Sequence, residues 1–337
     1  MDDNLRLREI VNASEHARRT IGVCLGPNGK LSRVLNTFFT PVTHRLLALK
    51  AAPGQMSVAD IVRTRTLVGQ LTPLKFFLFG TPIAQSLSPL MHNTAFKTLG
   101  FPHTYSLCET SDVNEIRAVL ASDAFGGASI TIPLKEMVLP LVHVLSPAAK
   151  AIGAVNTLAK HGGKNGRVYG DNTDWIGIHE AITRACPVRP RVALVLGAGG
   201  TARAACYALN QLGVDDLIIF NRTMSKAQTL ALEFNGSICH RLEAVGNVDL
   251  IVSTVPVAAQ QEALPARLFA TKPVVCDVTY KPRMTPLLVQ AQALQCPIVH
   301  GVDVLIAQGL CQFVCWTGTQ PCRATVTEAT LAALASS

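Results

Sequence analysis

The run Arg191-Val-Ala-Leu-Val-Leu196 passes directly into Gly197-Ala-Gly-Gly-Thr-Ala-Arg203, and no other stretch constrains the fold as much. A continuous β-branched and leucine run has no polar face, so it belongs in the middle of a parallel sheet covered on both sides. The helix expected from Ala204 to Leu212 and the strand expected over Asp216–Phe220 continue the alternation. Further strands are expected at Leu250–Val252 and Val274–Cys276. Strands and helices in alternation make a doubly wound α/β sheet.

At the strand-to-helix junction the pattern Gly197-x-Gly199-x-x-Ala202 stands where a dinucleotide fingerprint must stand. Glycine lets the backbone approach a pyrophosphate, and the helix N-terminus adds partial positive charge. The plainer alternative is an ordinary strand–helix turn. Gly197, Gly199, Gly200, Thr201, Ala202 and Arg203 are therefore the candidate cofactor residues. An acid at the end of the next strand would hold the ribose hydroxyl of NAD. Here Asn221, Arg222 and Thr223 stand instead, with Lys226 close behind. Two cations and a hydroxyl suit a 2′-phosphate and favour NADP; the alternative is that Arg222 is only a solvated surface residue.

Upstream, Phe76–Phe79 reads as a buried strand, and Ser86-Leu-Ser-Pro89 as a helix start with proline in its first turn. Tyr105–Leu107, Ala128–Ile132 and Ala154–Leu158 read as further strands. Three stretches there carry polar side chains suited to chemistry: Ser129-Ile-Thr-Ile-Pro-Leu-Lys135, Gly153-Ala-Val-Asn-Thr157 and Gly170-Asp-Asn-Thr-Asp174. A lysine paired with a carboxylate beside a bound dinucleotide can move a proton while a hydride moves. Each residue also has a plain reading: Lys135 as a solvated lysine after a strand, Asn156 as a turn former, Asp174 as a helix cap.

At 337 residues the chain has room for about two domains. Hydrophobic residues are 49% and charged residues 15%, which excludes a disordered chain. No stretch has the roughly 18 unbroken apolar residues of a membrane span, and the N-terminus lacks a signal-peptide core, so a cytoplasmic location is expected. Ten cysteines are scattered through apolar runs without a CxxC pair, and are expected as buried free thiols with no metal. The net charge of +8 is dispersed and carries no nucleic-acid motif; it suits an anionic small molecule, and no direct nucleic-acid partner is expected.

The first 70 residues differ. A helical pattern over Leu5–Val11, an apolar strand-like run Ile21–Leu25 and a turn at Gly26–Gly29 are too little for a closed core.

From about 76 to 325 the chain resembles the shikimate dehydrogenase family. Gly80-Thr-Pro-Ile-Ala-Gln-Ser86-Leu-Ser88-Pro-Leu-Met-His-Asn93 is similar to the family's carboxylate loop, which implies that Ser86 and Ser88 bind the substrate carboxylate. The resemblance places Thr131, Lys135, Asn156 and Asp174 on substrate and catalytic positions, with Lys135 and Asp174 the catalytic pair. Tyr280, in Val278–Pro286, and Gln308, in Gly301–Gly309, fall on the remaining substrate contacts. The implied fold has two domains, an α/β substrate domain over 75–175 and 310–337 and a Rossmann-type NADP domain over 176–309. Gly29–Arg33 and Lys50–Ser57 resemble the last strands of a type I 3-dehydroquinase barrel, with Arg33, Gln55 and Ser57 on its substrate positions. Residues 1–70 are thus an incomplete N-terminal barrel remnant, and dehydroquinase activity is not expected.

That order resembles the end of the fungal pentafunctional AROM polypeptide, and equally the related quinate repressor. The first implies NADP-dependent reduction of 3-dehydroshikimate to shikimate, with Lys135 donating the proton and Asp174 holding the substrate hydroxyls and the lysine. The second implies a regulatory module that senses shikimate or quinate and contacts an activator protein.

Overall fold

The computed structural model describes residues 2–16, 20–36, 42–44, 47–49, 52–161, 166–260 and 263–336. By contacts the chain divides into two compact units, one of Met1–Leu74 with Asn93–Thr104, the other of Lys75–His92 with Tyr105–Ser337.

The first unit holds α1 (Asp2–Ala13), α2 (Lys30–Leu35) and α3 (Val58–Leu67). Val11, Val34, Ala59, Ile61 and Val62 are buried, while Leu25, Leu49 and Leu67 are at least 80% exposed, as a set of elements without a closed core should be. The strand expected over Ile21–Leu25 does not form. Side chains take its backbone groups instead of a ladder: Asn36 bonds both the N–H and the carbonyl of Gly22, at 3.1 and 2.7 Å, and Ser32 Oγ accepts from Cys24 N at 2.9 Å. Ser57 caps α3, its Oγ accepting from Asp60 N at 3.2 Å. Arg33 and Gln55 are buried like Ser57; Lys50 and Ala51 of that motif lie outside the described residues.

The second unit carries two six-stranded sheets. In chain order come β1 (Lys75–Gly80), α4 (Ser88–Leu99, divided between the two units), β2 (Thr104–Glu109), α5 (Val113–Leu120), β3 (Phe125–Ile130) and α6 (Leu134–Met137). Then follow β4 (Val144–Leu145), α7 (Pro147–Ile152), β5 (Thr157–His161), β6 (Arg167–Asp171) and α8 (Asp174–Ala185). The first sheet is mixed, in the order β2-β1-β3-β5-β6-β4. Ala154–Asn156, expected as strand, precede β5 as irregular chain. Val155 N donates to Lys135 O at 2.7 Å and Asn172 Nδ2 to Ala154 O at 2.9 Å, so these groups are committed to the site rather than to a ladder.

The second sheet is built from β7 (Val192–Leu196), α9 (Gly200–Gln211), β8 (Asp216–Phe220), α10 (Met224–Phe234), β9 (Ser237–Ile238), β10 (Leu250–Ser253), β11 (Val274–Asp277), α11 (Pro286–Ala293) and β12 (Ile298–Val299). Every pair is parallel, in the order β12-β11-β10-β7-β8-β9. This is the dinucleotide-binding order, with β7 and β10 flanking the switch point where ligands enter at the strand ends. α12 (Gly301–Thr317) and α13 (Arg323–Ala335) close the chain. The expected boundary at 309/310 lies inside α12, one continuous helix packed on α8; a Cβ on Gly177 of α8 would stand 2.7 Å from Val304 O. Among the described residues no helix is long and apolar enough to cross a membrane.

Candidate active site

Lys135 lies in α6, just past the turn that ends β3. Thr131 makes that turn: its N–H donates to Phe79 O at 2.9 Å, and its carbonyl accepts from Leu134 N at 2.9 Å. The Lys135 ammonium donates to Asp174 Oδ2 and, at 3.0 Å, to Thr201 Oγ1. Asp174 is the first residue of α8, where the unpaired N–H groups of a helix start favour an anion. Asn156 Nδ2 donates to Asp174 Oδ1 at 2.8 Å and to Gln308 Oε1 at 3.3 Å. Side-chain exposures of 12% for Lys135 and 11% for Asp174 make this a largely desolvated ion pair. Four expected residues, Lys135, Asn156, Asp174 and Gln308, thus meet in one cluster, and Thr201 of the glycine loop joins it.

Ser86, Ser88 and Tyr280 form a second group. Ser88 N donates to Ser86 Oγ at 3.2 Å. Burial pushes the Tyr280 phenol above its ordinary pKa, against hydrogen bonds to Ser86 and the Leu87 backbone. Ser88 also lies within hydrogen-bond reach of the buried Tyr105 hydroxyl, whose pKa burial raises.

The glycine loop fits a dinucleotide. Gly197 sits at φ 114°, and a Cβ there would fall 2.3 Å from Thr254 Oγ1, so the sharp exit from β7 requires glycine. Gly199 precedes α9 as its N-cap without any side-chain cap, and a Cβ on it would meet nothing within 4 Å. The first N–H groups of α9 thus have no side-chain cap, an arrangement suited to an anion such as a pyrophosphate. Gly200 brings the loop against Lys135: a Cβ there would stand 3.1 Å from Lys135 Cβ. Ala202 is fully buried in the core beneath. At the far end Arg222, Thr223 and Lys226 are exposed, and Asn221 Nδ2 donates to Thr223 O at 2.9 Å. Among the described residues no ion pair engages Arg222 or Lys226.

Arg203 is not gathered with the loop. Its guanidinium donates to Ile152 O at the end of α7 and to Glu233 of α10, and stands 5.7 Å over the Phe234 ring. These contacts tie α7, α9 and α10 together and turn the cation away from the phosphate seat.

Several residues at the site carried no sequence signal of their own. Thr173 N and Thr157 Oγ1 both donate to Asn156 Oδ1 at 2.7 Å. Gln312 Nε2 donates to Asn156 O at 3.0 Å. Gln312 follows Gln308 by one helical turn of the apolar α12.

Among the described residues no group of His, Cys, Asp and Glu could hold a metal ion. All ten cysteines are free, but only Cys206, Cys239, Cys276 and Cys296 are buried; Cys322 is exposed at the start of α13 and five are intermediate, a correction to uniform burial.

His92 stacks on Tyr105 at 4.5 Å and lies 4.8 Å from Trp316, and burial pushes its imidazole down from 6.5 to about 3. Below pH 6.5 the unfolded chain takes up a proton that the folded chain refuses, so stability falls as pH falls from 6.5 towards about 3, by up to about 1.4 kcal/mol per unit. Urea midpoints measured between pH 7 and pH 4 should show this slope, and His92→Phe should flatten it. His103, pushed down by burial to about 4, adds to the same slope.

Comparison with known proteins gives three family matches: "Shikimate dehydrogenase substrate binding domain" over 78–158, "Shikimate / quinate 5-dehydrogenase" over 181–265 and "Type I 3-dehydroquinase" over 1–72. The chain is 41% identical over 344 residues to the pentafunctional AROM polypeptide of Schizosaccharomyces pombe, covering 94% of this chain and 22% of that polypeptide. It therefore spans about a fifth of the length of the curated relatives it matches. The solved dehydroquinate dehydratase and shikimate dehydrogenase from S. pombe superposes with a TM-score of 0.79 at 38% identity, covering 98% of this chain and 67% of that one. The Thermus thermophilus shikimate 5-dehydrogenase in complex with NADP(H) and shikimate gives 0.70 at 35%, covering 77% of this chain and 99% of that one.

Proposed function

The chain belongs to the shikimate dehydrogenase family, and from that premise we propose that it catalyses the NADP-dependent, reversible reduction of 3-dehydroshikimate to shikimate. One observation carries the proposal: a single ammonium, Lys135 Nζ, bonds both the Asp174 carboxylate and Thr201 of the dinucleotide loop. The proton donor thus stands where substrate and cofactor meet. When bound, the nicotinamide supplies the hydride for the ring ketone or accepts it in reverse.

The residues divide the remaining work. Ser86, Ser88 and Tyr280 bind the substrate carboxylate, Thr131 and Gln308 line the ring, and Asn156 with Asp174 holds the ring hydroxyls. Lys135 gives its proton to the oxygen as negative charge develops there, and its charge stabilises that oxygen until transfer is complete. Asp174 keeps the ammonium aimed through a charge-assisted hydrogen bond. Burial of the pair excludes water that would screen it. Gly197, Gly199, Gly200, Thr201 and Ala202 seat the pyrophosphate, and Asn221, Arg222, Thr223 and Lys226 the adenosine 2′-phosphate. Arg203 supports the loop through α7 and α10. No dehydroquinase step is assigned to residues 1–72, since the capping role of Ser57 and the burial of Arg33 and Gln55 support a structural part.

Steady-state assays of shikimate oxidation with NADP and with NAD test the reading. NADP should be preferred. The double variant Arg222→Ala, Lys226→Ala should raise KM for NADP by about tenfold or more, the scale of lost charge-assisted bonds, with KM for NAD nearly unchanged. Equal use of both cofactors by the parent would refute the NADP assignment.

A further inference from the structure

A hydrogen-bond chain of fixed polarity runs beneath the Lys135–Asp174 pair, through Tyr105, Ser129, Gln312, Thr157 and the Asn156 amide. Two backbone groups set its direction, because an N–H can only donate and a carbonyl can only accept. Thr173 N lies 2.7 Å from Asn156 Oδ1, which fixes that end of the amide as oxygen and turns Nδ2 to Asp174 Oδ1, 2.8 Å away. Asn156 O lies 3.0 Å from Gln312 Nε2, which fixes the nitrogen end of Gln312.

The same nitrogen donates to Thr157 Oγ1 at 3.1 Å, leaving the threonine proton for Asn156 Oδ1 at 2.7 Å. At its other end Gln312 Oε1 accepts from Ser129 Oγ at 2.7 Å, and Ser129 Oγ accepts from the Tyr105 hydroxyl at 2.7 Å. Ser129, Tyr105, Gln312, Asn156, Thr157 and Thr173 are each no more than 5% exposed, so solvent does not replace a missing member. Burial keeps His92 neutral beside Gln312 and Tyr105 protonated, so neither adds charge to the chain.

We propose that Gln312 is a positioning residue: acting through the Thr157 hydroxyl, it reinforces the orientation that Thr173 N–H gives the Asn156 amide, with its nitrogen toward Asp174 and the substrate. An Asn156 turned over would set its oxygen against the Asp174 carboxylate and its nitrogen against Thr173 N–H, a mismatch at both ends. Gln312 lies on α12, 156 residues from Asn156 in sequence, so this helix supports the donor direction of the site as well as closing the core. The kinetic arm of the test rests on the dehydrogenase reading; the binding and exchange arms do not.

Two variants of the full chain test the proposal. Gln312→Glu keeps the shape but replaces the donor with an acceptor, which draws the Thr157 proton away from Asn156. Thr157→Val breaks the same link without adding charge. Gln312→Glu should lower kcat/KM for shikimate by roughly tenfold or more, the scale of a mismatched buried hydrogen bond, and weaken calorimetric shikimate affinity in parallel. Thr157→Val should lose several-fold, and the double variant should lose little beyond Gln312→Glu, because both break one link.

NADP affinity should stay within about twofold, which separates the effect from general destabilisation. In the parent the Asn156 side-chain amide protons, held by a carboxylate, should exchange slowly with water and in Gln312→Glu quickly; this arm needs neither substrate nor activity. A parent that shows slow exchange and no turnover counts against the dehydrogenase reading alone. Should Gln312→Glu fail to fold, Thr157→Val decides. If the folded variants match the parent in shikimate affinity and Asn156 exchange, Thr173 N–H alone holds the amide and the proposal is overturned.

Discussion

Replacing Lys135 with alanine should lower kcat for shikimate oxidation and 3-dehydroshikimate reduction by about a hundred- to ten-thousand-fold, the range a positioned acid–base group supplies. Binding of NADP should change little. The proposed seat for the pyrophosphate is backbone, at Gly199 and the uncapped start of α9, and does not depend on the lysine side chain. The lysine does hold Thr201, but through one 3.0 Å bond to a hydroxyl. A loss confined to kcat, with cofactor affinity intact by fluorescence titration, is therefore the expected signature. Turnover that survives the change would remove Lys135 from its role.

Asp174→Asn should damage both chemistry and stability. The carboxylate is the counter-charge of a lysine that is 12% exposed, and it accepts from Asn156 at 2.8 Å. Breaking a buried pair from one side typically costs about 3–5 kcal/mol, because the remaining charge stays desolvated. The urea midpoint should fall accordingly, and kcat/KM should fall about a hundredfold or more as the ammonium loses its aim. The double variant Lys135→Met, Asp174→Leu separates the two effects. It should recover most of the stability, since no charge is stranded, and none of the activity. A double variant as unstable as Asp174→Asn would show that the cost lies in packing rather than in the unpaired charge.

Much of this was readable from the residues, for identifiable reasons. The strand over Asp216–Phe220 and the turn at Gly197–Gly200 were legible because a buried parallel strand and a positive-φ exit each admit few residue types. The trio Lys135, Asn156 and Asp174 was legible as three polar residues next to apolar strands, and the fold does bring them together.

Other features were hidden. β4, β9 and β12 have two residues each, too short for any periodicity, and Gly170 inside β6 weakens that strand's signal. Ile21–Leu25 looked like a strand because its side chains are apolar, but Asn36 and Ser32 satisfy its backbone. Arg203 stood inside the loop motif, yet its direction depends on Ile152 and Glu233, whose proximity only the fold creates. The Gln312 connection was invisible for the same reason: Ser129 lies 183 residues away from it.

Deuterium transfer tests the central claim most directly. The purified chain would be incubated with 3-dehydroshikimate and NADPH carrying deuterium at its transferable position, and the product analysed by mass spectrometry. Shikimate bearing that deuterium at the newly formed alcohol carbon is the predicted result, with none formed by Lys135→Ala over the same interval. Binding of 3-dehydroshikimate without any labelled shikimate would contradict the account and favour a sensor that keeps the pocket but not the reaction.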